Sequence, residues 1–309
     1  MSGAAIAKLP PGVVVLERGW LSSNSVLMPA PSGMAVVDSG YWTHAAQTVE
    51  LVASSSGGRP LGLLLNTHLH SDHCGGNAAL QARYPQVQTL VPAGLAKWVR
   101  EWDTTALTYA PTGQFCPRFA VSGVLQPGSE LELAGCRWQV HGAPGHDPHS
   151  VVLFEPGSRT LISADALWAN GFGVVFPELE GERAFGDVGR TLDLIEALEP
   201  AVVIPGHGPV FEDVGGAVAR ARSRLAAYEA SPVRHATHAA KVLLKFKLLE
   251  WQSASLEQVL DWAGGTSYFR MMQQHWFADE DPRAWVRRLA QELIASGAAS
   301  LDGEMLHNA

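Results

Sequence analysis

Four side chains that commonly bind metal ions lie within six consecutive residues of this sequence. They are His68, His70, Asp72 and His73. The stretch that holds them, NTHLHSDHCGG (66–76), directly follows the apolar run LGLLL (61–65), so it lies deep in the chain and is not an expression tag. A solvated polar loop is the simpler alternative. Alternate residues of an extended segment project the same way, and imidazole and carboxylate groups are usual zinc ligands. We therefore interpret this stretch as part of a metal site.

Three further potential ligands follow, each at the end of a predicted strand. They are His146 in GAPGHDPHS, Asp165 in TLISADAL and His207 in VIPGHGPV. Each adjoins glycine or another small residue, which allows a metal ion to approach closely. An isolated loop histidine is more often a hydrogen-bonded residue than a ligand. In the company of the first four side chains, these three are predicted to complete a seven-residue ligand set.

The composition predicts an ordinary globular protein. The chain has 309 residues, of which 47% are hydrophobic and 17% are charged, and this length suits one domain of about 200 residues plus a smaller one. The N-terminal sequence lacks the pattern of a signal peptide, and no apolar run approaches the roughly eighteen residues of a membrane span. The three cysteines lack a CxxC spacing, which suits free thiols. We expect a cytoplasmic protein that does not enter a membrane.

The charge distribution argues against a nucleic-acid partner. The formal net charge is −8, and the acidic excess falls within residues 1–216, whereas nucleic-acid affinity depends mainly on Lys and Arg. Two local basic faces occur on predicted helices of the tail, formed by Arg220, Arg222 and Arg224 and by Lys241, Lys245 and Lys247. We interpret both faces as solvated helix surface.

The pattern of apolar runs predicts a mixed α/β (α+β) fold. Over the first two thirds of the chain, β-branched runs alternate with helical patterns, which indicates sheets covered by helices. After about residue 214 the sequence predicts mostly helices, one of which opens with a capping box at Ser255 and Gln258, and then a hairpin at Asp302–Gly303. We predict a catalytic domain over 1–214 and a small, mostly helical, winged-helix-like domain over 215–309.

The order and spacing of these motifs resemble the metallo-β-lactamase-fold superfamily over residues 12–212. The matching motifs are the VVDSG turn with Asp38, the HxHxDH signature, the PGH motif, the aspartate at 165 and the final GHG. The glyoxalase II-like and lactamase-beta-like branch with a C-terminal extension is the most similar. The resemblance implies a four-layer αββα sandwich that holds two zinc ions at one edge, with iron or manganese as alternatives. It assigns His68, His70 and His146 to one ion, Asp72, His73 and His207 to the other, and Asp165 to both.

The resemblance also implies a dinuclear zinc-dependent hydrolase in which a metal-bound hydroxide cleaves an ester or thioester, such as an acyl thioester or a lactone. Asp72 is then the candidate catalytic residue, because it could orient the hydroxide or take up a proton. The leading alternative is a metal-dependent single-strand endoribonuclease. A β-lactamase is less favoured because true β-lactamases of this fold generally lack the bridging aspartate. A non-enzymatic metal-binding regulator is disfavoured by the intact ligand set. The expected partner is a small-molecule acyl substrate, and a homodimer is an open alternative.

Five other residues are candidates for roles around the metal ions. Asp38 is predicted to support a ligand or a turn rather than to bind metal itself. His149 is equally consistent with a substrate contact and with a loop hydrogen bond. Trp168, Phe172 and Phe176, in the aromatic-rich segment after the bridging aspartate, either wall a substrate pocket or fill the core.

Overall fold

The structure, a computed structural model, describes residues 9–309. Its strands are β1 (Val14–Leu16), β2 (Ser25–Ala30), β3 (Gly33–Val37), β4 (Leu61–Leu65), β5 (Gln88–Pro92), β6 (Gly123–Leu125), β7 (Glu130–Leu133), β8 (Cys136–Gly142), β9 (Val151–Glu155), β10 (Thr160–Ala164), β11 (Val202–Pro205), β12 (Ser253–Ser255), β13 (Ala299–Asp302) and β14 (Met305–Asn308). Its α-helices are α1 (Ala45–Ser55), α2 (Ser71–Cys74), α3 (Asn77–Arg83), α4 (Ala96–Glu101), α5 (Tyr109–Thr112), α6 (Phe176–Leu179), α7 (Phe185–Leu198), α8 (Val214–Ala230), α9 (Pro232–Trp251), α10 (Leu256–Gly265), α11 (Ser267–Trp276) and α12 (Pro282–Ala295). None of the helices in this part of the chain combines the length and apolar content that a membrane span needs.

The chain divides into two compact units. The first runs to Asp103 and resumes over Cys116–Leu225, and the second consists of Thr104–Phe115 and Ala226–Ala309. The sequence did not predict that residues 104–115 belong to the second unit. A segment this short has no periodicity that shows which unit it packs with. The domain boundary at 214/215 stays a prediction.

Two mixed sheets form the centre of the first unit. One has the strand order β1-β2-β3-β4-β5-β6, and the other has the order β11-β10-β9-β8-β7. In the first sheet β3, β4, β5 and β6 run parallel to one another, and in the second only β10 and β11 are parallel. This mixture of sheets and helices confirms the predicted fold class.

Alternating side chains along the strands bury one face of each sheet against the other. On β2, Val26 and Met28 join the cluster that also contains Trp138 of β8 and Ile204 of β11. The residue between them, Leu27, points the other way and packs in a second cluster with Val52 of α1 and Leu80 of α3. The period of two along a strand therefore separates an inter-sheet core from a helix-covered face.

The second unit is mostly helical and ends in a small antiparallel sheet. Helix α11 packs against α5 and α9, and α12 packs against α9 and α10. The predicted cap of α10 is confirmed, since the Ser255 hydroxyl accepts a hydrogen bond from the Gln258 backbone N–H at 3.1 Å. The predicted terminal hairpin is also confirmed, and β12 adds a third strand to it through β14. The winged-helix assignment of this unit stays a prediction.

One strand prediction was wrong in its extent. The apolar pattern of SELELAGCRWQVHG predicts a single strand, but this run forms the hairpin of β7 and β8. The turn residues Ala134 and Gly135 have φ values of 54° and 68°. Two consecutive left-handed residues make the tight turn that suits strand twist. An Ala-Gly pair is a weaker hairpin signal than Asn-Gly, so the sequence pattern predicted one continuous strand instead of a turn.

We expect His235 to make the protein more sensitive to acid. This residue of α9 is 2% exposed, and burial, with the charge of His238, lowers its pKa to about 3. The folded state disfavours the protonated form, so stability is complete above the unfolded pKa of about 6.5 and falls as the pH drops toward 3. Between pH 7 and pH 5 this amounts to about 2 kcal/mol. Urea unfolding of His235→Phe should show a pH dependence smaller by that amount.

The matched control for this prediction is His275→Phe, because His275 is exposed. It should unfold with the same pH dependence as the unmodified chain. Equal pH dependence in His235→Phe and the unmodified chain would contradict the assignment.

Candidate metal centre

The carboxyl ends of two pairs of parallel strands meet at the site. In the first sheet, Asp38 directly follows β3, and His68 lies three residues beyond the neighbouring strand β4. In the second sheet, Asp165 directly follows β10, and His207 follows the neighbouring strand β11. His146 lies in the loop between β8 and β9. Polar side chains therefore converge here because they end strands that the sheets hold side by side.

Three imidazoles form the first group of potential ligands. His70 Nδ1 lies 2.8 Å from His146 Nε2, which in turn lies 3.2 Å from His68 Nε2. A neutral imidazole has one donor and one acceptor nitrogen, so three nitrogens that meet this closely cannot all be satisfied by one another. A cation at their point of convergence would satisfy all three lone pairs.

Two carboxylates and two imidazoles form the second group. Asp72 Oδ2 lies 3.1 Å from His207 Nε2 and 3.9 Å from His73 Nε2. His73 Nε2 lies 3.4 Å from Asp165 Oδ1. Within each of the two groups, the candidate ligand atoms all lie within 4.8 Å of one another. The structure thus brings together all seven predicted ligands, in the division into two groups that the resemblance implied.

Asp165 lies between the two groups. Its Oδ1 is 3.4 Å from His73 Nε2, and its Oδ2 is 3.5 Å from His146 Nε2. The side chain is buried. Its Oδ2 also lies 3.8 Å from His207 Nε2. The carboxylate therefore contacts candidate ligands of both groups, as a ligand shared by two metal ions must.

The electrostatics of the site fit divalent cations. Burial, together with neighbouring imidazoles, lowers the pKa of His68 well below its usual value and that of His70 to about 3, so both rings are neutral. Burial raises the pKa of Asp165, but His207 and His73 outweigh it and hold that pKa well below its usual range. Neutral imidazoles and ionised carboxylates are the forms that bind metal ions.

His73 is surrounded by the carboxylates of the second group. Burial lowers its pKa, yet the carboxylates of Asp165, Asp38 and Asp72 hold that pKa well above its usual value. Its Nε2 is buried and has no hydrogen-bond partner among residues 9–309. A metal ion would occupy the position that this nitrogen faces and would supply the positive charge that the carboxylates favour. The donor set therefore fits a divalent metal ion.

A hydrogen-bond network holds several ligand rings from behind. Asp38 accepts hydrogen bonds from the Thr67 backbone N–H at 2.9 Å and from the Thr67 hydroxyl at 2.7 Å. Its Oδ2 also lies 2.8 Å from His73 Nδ1. On the other side of the site, His146 Nδ1 bonds to the carbonyl oxygen of Val174. Such partners fix the tautomer and ring orientation of a metal ligand. Asp38 thus contacts a candidate ligand, His73, and the turn residue Thr67.

The family model of the metallo-beta-lactamase superfamily matches residues 18–207 of this sequence. The chain belongs to this superfamily. The matched segment contains all seven potential ligands and every strand of the two large sheets except β1. The resemblance inferred from the motifs is therefore confirmed.

Three known proteins illustrate the similarity within the superfamily. A hydroxyacylglutathione hydrolase from Synechococcus sp. (strain JA-3-3Ab) is 31% identical over 59% of this chain. The chain spans 64% of the length of that relative. The metallo-beta-lactamase family protein TTHA1429 from Thermus thermophilus has the same fold, with a TM-score of 0.57, 20% identity, and coverage of 97% of this chain and 99% of its own. TTHA1623, solved in a di-iron-bound form, has a TM-score of 0.50 and 24% identity over 66% of this chain and 96% of its own.

Two of the three predicted aromatic residues contact the ligands of this superfamily member. The Trp168 indole N–H donates to Asp165 Oδ1 at 3.1 Å. The Phe176 ring packs edge-on against His70, with centroids 4.8 Å apart. Phe172 is buried at 2% exposure and lines a small cavity together with His146 and Asp165. The exposed His149 lies against Gly94, and its backbone N–H donates to Asp147 Oδ1 at 2.7 Å.

Sequence reasoning missed two residues of the site. Thr67 directly precedes the first histidine of the motif, and both its backbone N–H and its hydroxyl donate to Asp38. Trp20 lies in the loop before β2, and its ring stacks on the His207 ring at 5.4 Å between centroids. Neither residue has a signal of its own, because a single tryptophan distant in sequence from every ligand gives no spacing to interpret.

The backbone lies so close to the candidate ligands that two neighbouring positions have no room for a side chain. A Cβ added at Gly206 would lie 2.1 Å from Asp165 Oδ1, and one added at Gly173 would lie 2.4 Å from His146 Nδ1. Ala164, just before the bridging position, has a φ of 46°, in the left-handed region that costs a residue with a Cβ about 1 kcal/mol or more. Local strain therefore helps to aim the Asp165 carboxylate into the site.

Proposed function

We propose that this protein is a hydrolase of ester or thioester bonds with a two-metal centre that is loaded with zinc. His68, His70 and His146 would hold one ion, Asp72, His73 and His207 the other, and Asp165 both. The observation that carries the proposal is the position of Asp165, whose carboxylate lies 3.4 Å from His73 of one ligand group and 3.5 Å from His146 of the other. A single-metal site would not need a carboxylate directed to both groups.

Bound divalent ions would lower the pKa of a coordinated water and polarise the carbonyl group of the substrate. The chain's own residues do the rest. Thr67 and Asp38 hold His73 in one orientation, and the Val174 carbonyl group does the same for His146. At 14% side-chain exposure, Asp72 is more open than Asp38 or Asp165. We assign Asp72 the role of orienting the attacking water and taking up a proton from it.

The substrate class is inferred from the site and from a relative. The cyanobacterial relative is named a hydroxyacylglutathione hydrolase, and an acyl group on a thiol is a thioester. The Phe176 ring contacts His70 and the Trp168 ring contacts His207, and both rings offer apolar surface to an acyl group. Both features support a small acyl thioester or a lactone, and we expect the protein to act on it in the cytoplasm.

Ion pairs within the protein weaken the case for RNA as the substrate. Four of the six basic residues that form the local faces already contact carboxylates. Arg220 pairs with Asp213 at 3.1 Å and Arg222 with Asp193 at 2.7 Å. Lys241 pairs with Glu292 at 3.0 Å and Lys247 with Glu250 at 2.5 Å. Phosphate contacts would have to compete with these pairs.

The test is a substrate panel assayed with the zinc-loaded protein. The panel contains an S-acylglutathione, an acyl-homoserine lactone, a β-lactam and a single-stranded RNA. We expect hydrolysis of the thioester or the lactone, loss of activity after treatment with a chelator, and recovery on addition of Zn²⁺. If only Fe²⁺ restores the activity, the metal of the site is iron and not zinc. Cleavage of RNA with no acyl hydrolysis would overturn the proposed substrate class.

A further inference from the structure

His207 differs from the other buried ligand histidines in how its ring is held. His73 Nδ1 contacts Asp38 at 2.8 Å, His146 Nδ1 contacts the Val174 carbonyl oxygen, and His68 Nδ1 lies 3.2 Å from the Thr67 hydroxyl. His207 Nδ1 is buried and has no hydrogen-bond partner within the described part of the chain. Since Nε2 faces Asp72, the usual anchor behind a ligand imidazole is missing here.

Two tryptophan rings occupy the place of that anchor. The Trp20 ring lies parallel to the His207 ring, with centroids 5.4 Å apart and an interplanar angle of 10°. Trp168 meets the same imidazole edge-on, at 5.5 Å and 80°. The two indoles also contact each other, at 5.4 Å and 71°. His207 therefore sits in an aromatic bracket formed by Trp20 and Trp168.

Hydrogen bonds hold Trp168 in place, whereas Trp20 is open to solvent. The Trp168 backbone N–H donates to the Gly171 carbonyl oxygen at 2.6 Å, and its indole N–H donates to Asp165 Oδ1 at 3.1 Å. Arg220 Nε donates to the carbonyl oxygen of Ala169 at 2.8 Å and holds the same turn. Trp20, in contrast, is 57% exposed. Both of these ring contacts of Trp20, to His207 and to Trp168, are made at the site.

We propose that Trp20 is a positioning residue for His207 and so strengthens divalent-metal binding by the group of Asp72, His73, Asp165 and His207. A metal ion makes the imidazole ring more positive, and the face of an indole attracts positive charge. The parallel stack is therefore stronger in the metal-loaded state than in the free one. The inference rests on the metal centre of the proposed function and is independent of the bond that the protein hydrolyses.

The test is a metal titration of the full chain after removal of metal by a chelator. Co²⁺ binding is followed by its visible absorption, and Zn²⁺ binding by competition with a chromophoric chelator. In Trp20→Ala, the more weakly bound metal ion should bind about ten-fold less tightly than in the unmodified chain. This loss corresponds to about 1.4 kcal/mol of binding free energy. Trp20→Phe keeps a flat ring and should bind within about three-fold of the unmodified chain. The matched control is Phe115→Ala, which removes a ring of 53% exposure distant in sequence from the ligands and should bind normally.

A double-mutant cycle shows whether Trp20 acts through His207. In the His207→Ala background, Trp20→Ala should change metal affinity less than two-fold. An equal effect of Trp20→Ala with and without His207, or no effect in either chain, would overturn the inference. Thermal unfolding of the metal-free variants separates metal affinity from folding, since Trp20→Ala should leave the melting temperature of the metal-free protein unchanged. If the unmodified chain binds no metal ion, the proposed function fails together with the inference.

Discussion

Asp165→Asn should lower kcat/KM for an acyl thioester by about a thousand-fold or more. The substitution keeps the size of the side chain but removes the charge that faces both ligand groups, at 3.4 Å from His73 and 3.5 Å from His146. Metal ions supply several kcal/mol of transition-state stabilisation, and each 1.36 kcal/mol corresponds to about ten-fold in rate. Steady-state kinetics at saturating Zn²⁺ measures the loss.

Two comparisons make this result specific. Asp302→Asn changes an exposed aspartate in the terminal hairpin and should leave kcat/KM unchanged. The far-ultraviolet circular dichroism of Asp165→Asn should match that of the unmodified chain, because the ordered sheets do not depend on this charge. Asp165→Asn activity within ten-fold of the unmodified value would contradict a shared-ligand role for Asp165.

Asp38→Ala should both destabilise the protein and weaken metal binding. Asp38 is 3% exposed and is the acceptor for the two Thr67 donors and for His73 Nδ1. Its removal leaves buried donors without a partner, at a cost of about 1–3 kcal/mol each. Loss of the hydrogen bond behind a ligand histidine also weakens metal binding by roughly 10–100-fold. Urea unfolding in the presence of a chelator measures the first effect, and metal titration measures the second.

Asp38→Asn separates the two effects. Position 38 has a φ of 58°, which asparagine tolerates better than alanine does. The amide oxygen can still accept a hydrogen bond from Thr67, so the variant should recover part of the stability. The amide lacks the negative charge next to His73 and should still bind metal weakly. Full metal affinity in Asp38→Asn would show that the carboxylate does not act through His73.

The candidate ligands and the fold class were accessible from the sequence because both follow from local patterns. His68, His70, Asp72 and His73 lie in one turn after an apolar strand, and His146, Asp165 and His207 each end or follow another strand. Strand and helix periodicity indicated the sheets and the helical tail. Strands that end in polar residues and are paired in parallel bring those residues to one edge.

The remaining features depend on contacts between distant segments. The excursion of residues 104–115 into the second unit, the aromatic stack of Trp20 and the unsatisfied His207 Nδ1 have no local sequence signal. The β7–β8 turn was missed because Ala134–Gly135 interrupts neither the apolar pattern nor the β propensity on either side. Side-chain contacts of this kind are set by how the sheets pack, which one chain's periodicity does not encode.

The number of metal ions per chain tests the account most directly. The protein is saturated with Zn²⁺, freed of excess metal by gel filtration, and measured by inductively coupled plasma mass spectrometry against the protein concentration. We predict two ions per chain for the unmodified protein and at most one for Asp165→Asn. A single ion per chain in the saturated, unmodified protein would contradict the two-metal centre.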